Sequence, residues 1–322
     1  MQALMFEKFG GPEVLCWNEH ADPGPTPSQA LVRMRSVGLN FADVYRRNGN
    51  YHLSGTAPWI LGYEGAGVIE RPAADDSGAI FPVGARVGFA DVPHANAELV
   101  VVDLDKLIPL PDDIAFDTAA ATLLQGLTAQ YLVTDSYHVR RGDVAVVHAA
   151  AGGVGLLLVQ MLKAQGATVL GVASSATKRA AVLAAGADAA TGYDELVAQT
   201  RQLTAGRGAD VVYDSVGRTL GDSLAATRIG GTVVFYGMAA GDPDPVDPRL
   251  LMDRSLTLTG GDLWNVLTSA TARRERAAAL FAQIRAGQLK PNIAARFLLS
   301  DGAQAHAYLE SREAIGKVLL TL

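Results

Sequence analysis

Cysteine is nearly absent: the 322-residue chain carries one, Cys16. A single thiol closes no internal disulfide and leaves no thiolate cluster for a structural zinc, so a reducing compartment is expected. Charge is sparse too, at 19% of residues with a net charge of -6, and no basic stripe stands out against this mild acidity. Nucleic acid is therefore not an expected partner. The amino-terminal MQALMFEKFGG has charges where a signal peptide needs an apolar run, so export is not indicated. Long apolar runs are lacking as well. The longest charge-free stretch, Val144 to Leu162, approaches membrane-spanning length, but its paired glycines mark a buried strand, a turn and a buried helix. A cytoplasmic protein without a membrane partner is expected.

What is present is a large apolar fraction, 49% of residues, in a chain longer than one hydrophobic core usually supports, and two domains follow as the first expectation. From about residue 143, apolar strand-like runs (VAVVHA, TVLGVA, DVVYDSV, GTVVFYG, SLTLTG) alternate with helical stretches (GVGLLLVQMLKAQG, ATKRAAVLAAGA, GDSLAATRIGG). Each helical stretch closes with glycine, the usual terminator. Such alternation marks a doubly wound α/β unit around a parallel sheet. The earlier part of the chain is turn-rich, with short strands. In ALVRMRSVG, Val32 and Met34 alternate with Arg33 and Arg35, as in a strand with one wet face. ADPGPTPSQ and the polar RPAADDSGA read as loops, and WILGYEGAGVIE and VGARVGFA as further strands, so this half is expected to be barrel-like and mostly β. TARRERAAALFAQIRAGQL predicts a helix ending at Gly287, and AHAYLESREAIGKVLLTL a helix and a last strand that return to the first domain.

AAGGVG, Ala150 to Gly155, fits a dinucleotide fingerprint with alanine at the first glycine position. Gly152 would let the backbone approach a pyrophosphate at a helix amino end, and Gly155 would let helix and strand pack closely. A structural turn is the alternative. In this fingerprint the next strand normally ends in an acid that grips the adenosine ribose. Here no Asp or Glu occurs between Asp143 and Asp188, and SSATKR, Ser174 to Arg179, stands in that place. An acid would repel a 2′-phosphate, whereas hydroxyls and a lysine offer it charge-assisted hydrogen bonds of roughly 1.5 to 3 kcal/mol each. NADPH is therefore expected over NADH. The competing view makes Lys178 and Arg179 a solvated helix face.

The segments FEKFGGPEVL, VGLNFADVYRRNGNY, GYEGAGVIE, AAATLLQGLTAQYL, HAAAGGVG, VVYDSVG and ESREAIGKVLL together resemble the zinc-independent medium-chain dehydrogenases/reductases, most closely the NADPH:quinone oxidoreductases related to zeta-crystallin. The resemblance implies a GroES-like catalytic domain (1–123 and 262–322) interrupted by a Rossmann domain (124–261), and a homodimer. It also implies Asn40, Asp43, Tyr45 and Tyr51 at the substrate end, and Gln125 and Thr128 under the nicotinamide riboside. Ala151, Gly152, Gly153, Val154 and Gly155 would lie under the pyrophosphate, and Ser174, Lys178, Tyr193 and Arg312 near the 2′-phosphate. Phe235 and Gly237 would hold the carboxamide, and Gly316 in the closing segment belongs to the same implied set.

Zinc-dependent relatives place a cysteine ligand where this chain has Asn40 and a histidine where it has Tyr63. A catalytic zinc needs three protein ligands at close range, so no metal is expected. Several of these residues have plainer readings. Asn40 and Asp43 have the spacing of a helix cap with a first-turn charge, and the two tyrosines could be ordinary interface aromatics. Glu64 could bond a turn, and Asp214 could cap backbone. The implied activity is NADPH-dependent reduction of a quinone. Reduction of an alkenal or enone double bond is the alternative, and an NADPH-binding structural or redox-sensing protein with little turnover is the alternative of another class. Whether electrons pass singly or as hydride is open at this level.

Overall fold

Val32 and Met34 are buried, Arg33 is half-buried and Arg35 is exposed, which is the alternation a strand with one wet face requires. The computed structural model describes residues 1–53, 55–74 and 80–322. Residues 75–79, the second part of the RPAADDSGA stretch, lie outside the described residues.

In chain order the elements begin with β1 (Gln2–Phe6), β2 (Cys16–Glu19), β3 (Gln29–Leu39), α1 (Phe41–Arg47), β4 (Trp59–Ile60), β5 (Glu64–Arg71), β6 (Arg86–Ala90), β7 (Leu99–Asp103) and β8 (Ile108–Pro109). Helices α2 (Phe116–Ala120) and α3 (Leu123–Tyr131) follow. Strands and helices then alternate: β9 (Val144–Val147), α4 (Gly153–Ala164), β10 (Thr168–Val172), α5 (Ala176–Ala184), β11 (Ala189–Thr191), α6 (Leu196–Leu203), β12 (Ala209–Asp214), α7 (Leu220–Ala226), β13 (Thr227–Phe235), α8 (Pro248–Arg254) and β14 (Thr257–Gly260). The chain closes with α9 (Ala270–Arg285), β15 (Ile293–Leu298), α10 (Gly302–Glu310) and β16 (Lys317–Thr321).

These elements form two compact units. One comprises residues 1–124, 267–282 and 291–322; the other comprises 125–266 and 283–290. In the first unit a sheet runs β15-β16-β3-β5-β6-β8, with β7 also paired to β3, and a three-stranded sheet runs β2-β1-β4. Apart from the parallel β15 and β16, the pairings are antiparallel. The apolar faces of β1, β3, β6, β7 and β16 meet in one core that includes Leu4, Phe6, Val32, Met34, Phe89, Val100, Val318 and Leu320.

The second unit is built on a sheet of order β11-β10-β9-β12-β13-β14, and every pairing in it is parallel. Counted within the unit this is the 3-2-1-4-5-6 order of the doubly wound dinucleotide fold, with its switch point between β9 and β12. The central strands are buried on both faces, as Val144–Val147 and Ala209–Asp214 illustrate, which explains their near-continuous apolar runs. The charge-free stretch from Val144 resolves into β9, a turn and α4. Among the described residues no helix is long and apolar enough to cross a membrane.

Local corrections concern glycine and short elements. GDSLAATRIGG is not one helix closed by glycine: α7 stops at Ala226, and Thr227 turns extended at ψ 141 to begin β13. Branched side chains at Thr227 and Ile229 favour the strand. By contrast α4 and α5 are followed by Gly166 and Gly186 at φ 84 and 108, the left-handed conformation that ends a helix. β11, α6 and β15 form without a sequence expectation.

Candidate active site

In the second unit, β9 delivers its carboxyl end to a tight turn. Ala149 has φ 46, the Gly152 amide donates to the Ala149 carbonyl at 2.8 Å, and Gly152 is the N-cap of α4. A Cβ on Gly155 would meet the Ala149 carbonyl oxygen at 2.5 Å and Ala150 Cα at 2.7 Å, so helix and strand approach at a distance that only glycine permits. A Cβ on Gly153 would run into the Gln125 side-chain amide. The turn thus brings Gln125 of α3 against the amino end of α4. Thr128 lies one turn further along α3, and both side chains are 8% exposed. Ala151 is buried, and Gly152, Gly153 and Val154 are half-buried. The amino end of α4 with its small residues is an anion cradle, and the donor set fits a pyrophosphate.

At the end of β10, Ser174 is exposed, and Ser175 caps α5 by accepting the Lys178 amide at 3.3 Å. Lys178 therefore sits in the first turn of α5, half-buried. Arg179 turns away to donate to the Ala173 carbonyl at 3.3 Å. Tyr193 follows β11, its ring centroid 5.9 Å from that of His148. Phe235 ends β13, and Gly237 lies two residues on, close to Ser215.

Behind the turn lies a buried polar chain. Asp214, at the carboxyl end of β12, accepts the Val216 amide at 2.8 Å, the Gly217 amide at 3.1 Å and the Thr219 hydroxyl at 2.8 Å. Ser223 donates at 2.6 Å to Asp214 Oδ2, the oxygen that also accepts the Thr219 hydroxyl, and stands 2.9 Å from His148 Nε2. The serine proton is committed to Asp214, so His148 Nε2 carries the proton it gives to Ser223. Burial holds the His148 pKa below its ordinary value, against the pull of Asp214 and Asp222. Asp214 is thus a backbone and loop organiser at the switch point.

In the first unit the implied substrate residues gather around α1. Asn40 is its N-cap, and the Asp43 carboxylate accepts the Asn40 amide at 2.9 Å, so the cap spacing is used as a cap. Asp43 is fully buried and also accepts the Gly62 amide at 3.3 Å. Burial pushes its pKa up, while Arg46 and these amides pull it down. Tyr45 and Tyr51 meet edge-on with centroids 6.3 Å apart. Arg46 is buried, with its guanidinium 3.5 Å from the Tyr63 ring centroid and 4.9 Å from that of Tyr51, and it donates to the His52 carbonyl at 3.0 Å. Arg312 is exposed after α10 at φ 61, and Gly316 at φ 91 precedes β16, where a Cβ would run into the Asn292 carbonyl. Both belong to the first unit.

The site's least legible member is Lys317, which is 1% exposed. Its ammonium donates to Glu64 Oε2 at 2.5 Å and to Asn40 Oδ1 at 2.8 Å, so Glu64 does more than bond a turn. A lone charge in the apolar stretch IGKVLL was its only signal. Among the described residues no group of three or more His, Cys, Asp or Glu side chains is placed to hold a metal ion.

Comparison with known proteins agrees with this architecture. The alcohol dehydrogenase GroES-like domain model matches residues 26–143, and the zinc-binding dehydrogenase model matches residues 153–280. A quinone oxidoreductase of Pseudomonas aeruginosa is 38% identical over 322 residues, 98% of each chain. A 2-haloacrylate reductase of a Burkholderia species is 35% identical, covering 99% of this chain and 98% of its own. The structure of Escherichia coli quinone oxidoreductase complexed with NADPH matches at a TM-score of 0.95 and 34% identity, covering 100% of both chains.

Proposed function

This chain belongs to the quinone oxidoreductases of the medium-chain dehydrogenase/reductase family, and on that footing we propose that it reduces quinones with NADPH. The observation that carries the reading is the end of β10. Ser174 and the first-turn Lys178 stand there in a stretch whose sequence holds no Asp or Glu from 144 to 187, so the acid that usually grips a bare ribose diol is missing from the strand end and hydroxyl and ammonium groups suited to a 2′-phosphate take its place.

When bound, NADPH supplies the reducing equivalents. The protein's part is to bind and orient. In this reading Ala151–Gly155 hold the pyrophosphate, and Gln125 and Thr128 line the nicotinamide riboside. Ser174, Lys178, Tyr193 and Arg312 take the 2′-phosphate, and Phe235 and Gly237 the carboxamide, with Gly316 shaping the closing segment. Asn40, Asp43, Tyr45 and Tyr51 form the acceptor end. The tyrosine pair offers flat apolar faces and hydroxyl donors to a conjugated carbonyl, while Asp43 fixes the start of the helix that carries Tyr45. The acceptor end belongs to a catalytic domain of residues 1–123 and 262–322, and the cofactor to a domain of residues 124–261. We read the working protein as a cytoplasmic homodimer, which light scattering on the purified chain would test.

The likeness to the 2-haloacrylate reductase favours a second reading, reduction of a carbon–carbon double bond beside a carbonyl. Steady-state NADPH oxidation with a panel of quinones and enones decides between them. Turnover with quinones supports the first reading, and turnover confined to enones supports the second. Tight NADPH binding with neither acceptor turned over would replace both with a binding protein of structural or redox-sensing role.

A further inference from the structure

Lys317 is a charge in an apolar strand: Val318, Leu319 and Leu320 beside it on β16 are fully buried, and so are Lys317 and its partner Glu64, at 1% and 0% exposure. β16 pairs antiparallel with β3, with Val318 opposite Leu39, and this register sets Lys317 beside Asn40, the N-cap of α1. An ammonium has donors only. By placing one on Asn40 Oδ1 at 2.8 Å, it fixes which end of that carboxamide is oxygen. Asn40 Nδ2 is thereby turned to the Gly38 carbonyl at 3.1 Å and to Glu64 Oε2 at 3.2 Å.

The other Glu64 oxygen accepts the Leu124 amide at 2.6 Å, which orients the carboxylate in turn. Gly38 seals the cluster: a Cβ there would run into Glu64 Oε2 and the Ala120 carbonyl and would meet Lys317 Cε at 2.7 Å. Burial lowers the Lys317 pKa, and Glu64 opposes that shift. A buried ion pair of this kind is a poor source of stability, because apolar residues of similar volume often serve as well or better. What such a pair can supply is a fixed orientation.

We propose that Lys317 and Glu64 are positioning residues of the acceptor end, locking the Asn40 carboxamide and with it the start of the helix that carries Tyr45. The proposal rests on the reading of Asn40, Tyr45 and Tyr51 as acceptor residues. Neither Lys317 nor Glu64 touches substrate in this account; both act through Asn40.

The test uses two variants. Lys317→Met strands the Glu64 charge in the core and is expected to lose stability heavily. Lys317→Met/Glu64→Gln removes both charges while keeping the shape and an acceptor for Leu124. The double variant is expected to melt near the parent and to bind NADPH with an unchanged Kd by calorimetry. Its KM for a quinone should nevertheless rise about tenfold at little cost in kcat, the pattern of lost binding geometry. The side-chain amide resonances of Asn40, identified by their absence in Asn40→Asp, should shift and broaden as the carboxamide gains freedom. A quinone KM equal to the parent's would overturn the proposal. If the parent itself turned over neither quinones nor enones, the acceptor reading would fall separately; unchanged Asn40 resonances in the double variant would then overturn the lock on their own.

Discussion

Ser223 Oγ lies 2.9 Å from His148 Nε2 and 2.6 Å from Asp214 Oδ2, joining the ends of two neighbouring strands, β9 and β12, at the switch point of the parallel sheet. All three side chains are fully buried, so the hydroxyl is both the acceptor for the histidine and the donor to the carboxylate. Ser223→Ala removes both bonds and should cost about 1 to 3 kcal/mol of stability, measured by urea denaturation. A loss of a few tenths of a kcal/mol would mean that His148 Nε2 finds another partner, since Asp214 keeps the Val216, Gly217 and Thr219 donors.

His306 sets a pH dependence. It is buried with Nδ1 2.9 Å from the Arg47 guanidinium, and burial, followed by that positive charge, pushes its pKa down to about 3. The unfolded chain takes up this proton near pH 6.5 and the folded chain does not, so the contribution is complete above pH 6.5 and is lost as pH falls toward 3. Each pH unit below 6.5 costs about 1.4 kcal/mol. Urea titrations at pH 7.5 and 5.0 should therefore differ by about 2 kcal/mol more in the parent than in His306→Gln. His148, also shifted down, keeps a residual slope of the same sign. An equal pH dependence in parent and variant would contradict the assignment.

Arg46 joins charge to aromatic packing. Its guanidinium stacks on Tyr63 and lies 4.0 Å from Asp43, with both charges buried. Arg46→Met would leave Asp43 without this counter-charge and should cost about 3 kcal/mol, with Arg46→Lys intermediate because it keeps the charge but not the planar stack. Thermal and urea melts of the two variants give the order, and a methionine variant as stable as the lysine one would speak against the pairing.

The local physics of this chain was readable wherever a single stretch decides the outcome. Val32 to Arg35 alternates because one face of β3 is wet, and Asn40 with Asp43 reads as a cap because the cap is closed within four residues. The parallel unit is readable in β9, β10 and β12, whose strands are apolar because both faces are covered. Misreadings arose where one signal masked another. The glycine pair after Ile229 reads as a helix stop although Thr227 and Ile229 already favour strand, and β15 gains its place from pairing with β16. Lys317 was illegible because its partners Asn40 and Glu64 lie 277 and 253 residues away. The same holds for Ser223, 75 residues from His148. Such partnerships exist only after the strands have registered.

Gly155 tests the close approach of α4 to its strand. In Gly155→Ala the new methyl meets backbone at 2.5 and 2.7 Å, and backbone cannot swing aside as a side chain can. A destabilisation of about 1 to 3 kcal/mol is expected, together with weaker NADPH binding as the turn is displaced. Gly153→Ala faces the Gln125 side chain instead and should be milder in stability. The reverse order in paired urea melts would refute this view of the turn.

The choice of cofactor rests on Ser174 and Lys178, and calorimetric titration of the purified chain with NADPH and with NADH measures it directly. Two charge-assisted contacts to the 2′-phosphate should make NADPH bind about a hundredfold more tightly, and Lys178→Glu should weaken NADPH at least about tenfold while changing NADH much less. Equal affinity of the parent for the two nucleotides, or an equal loss for both in the variant, would contradict the account.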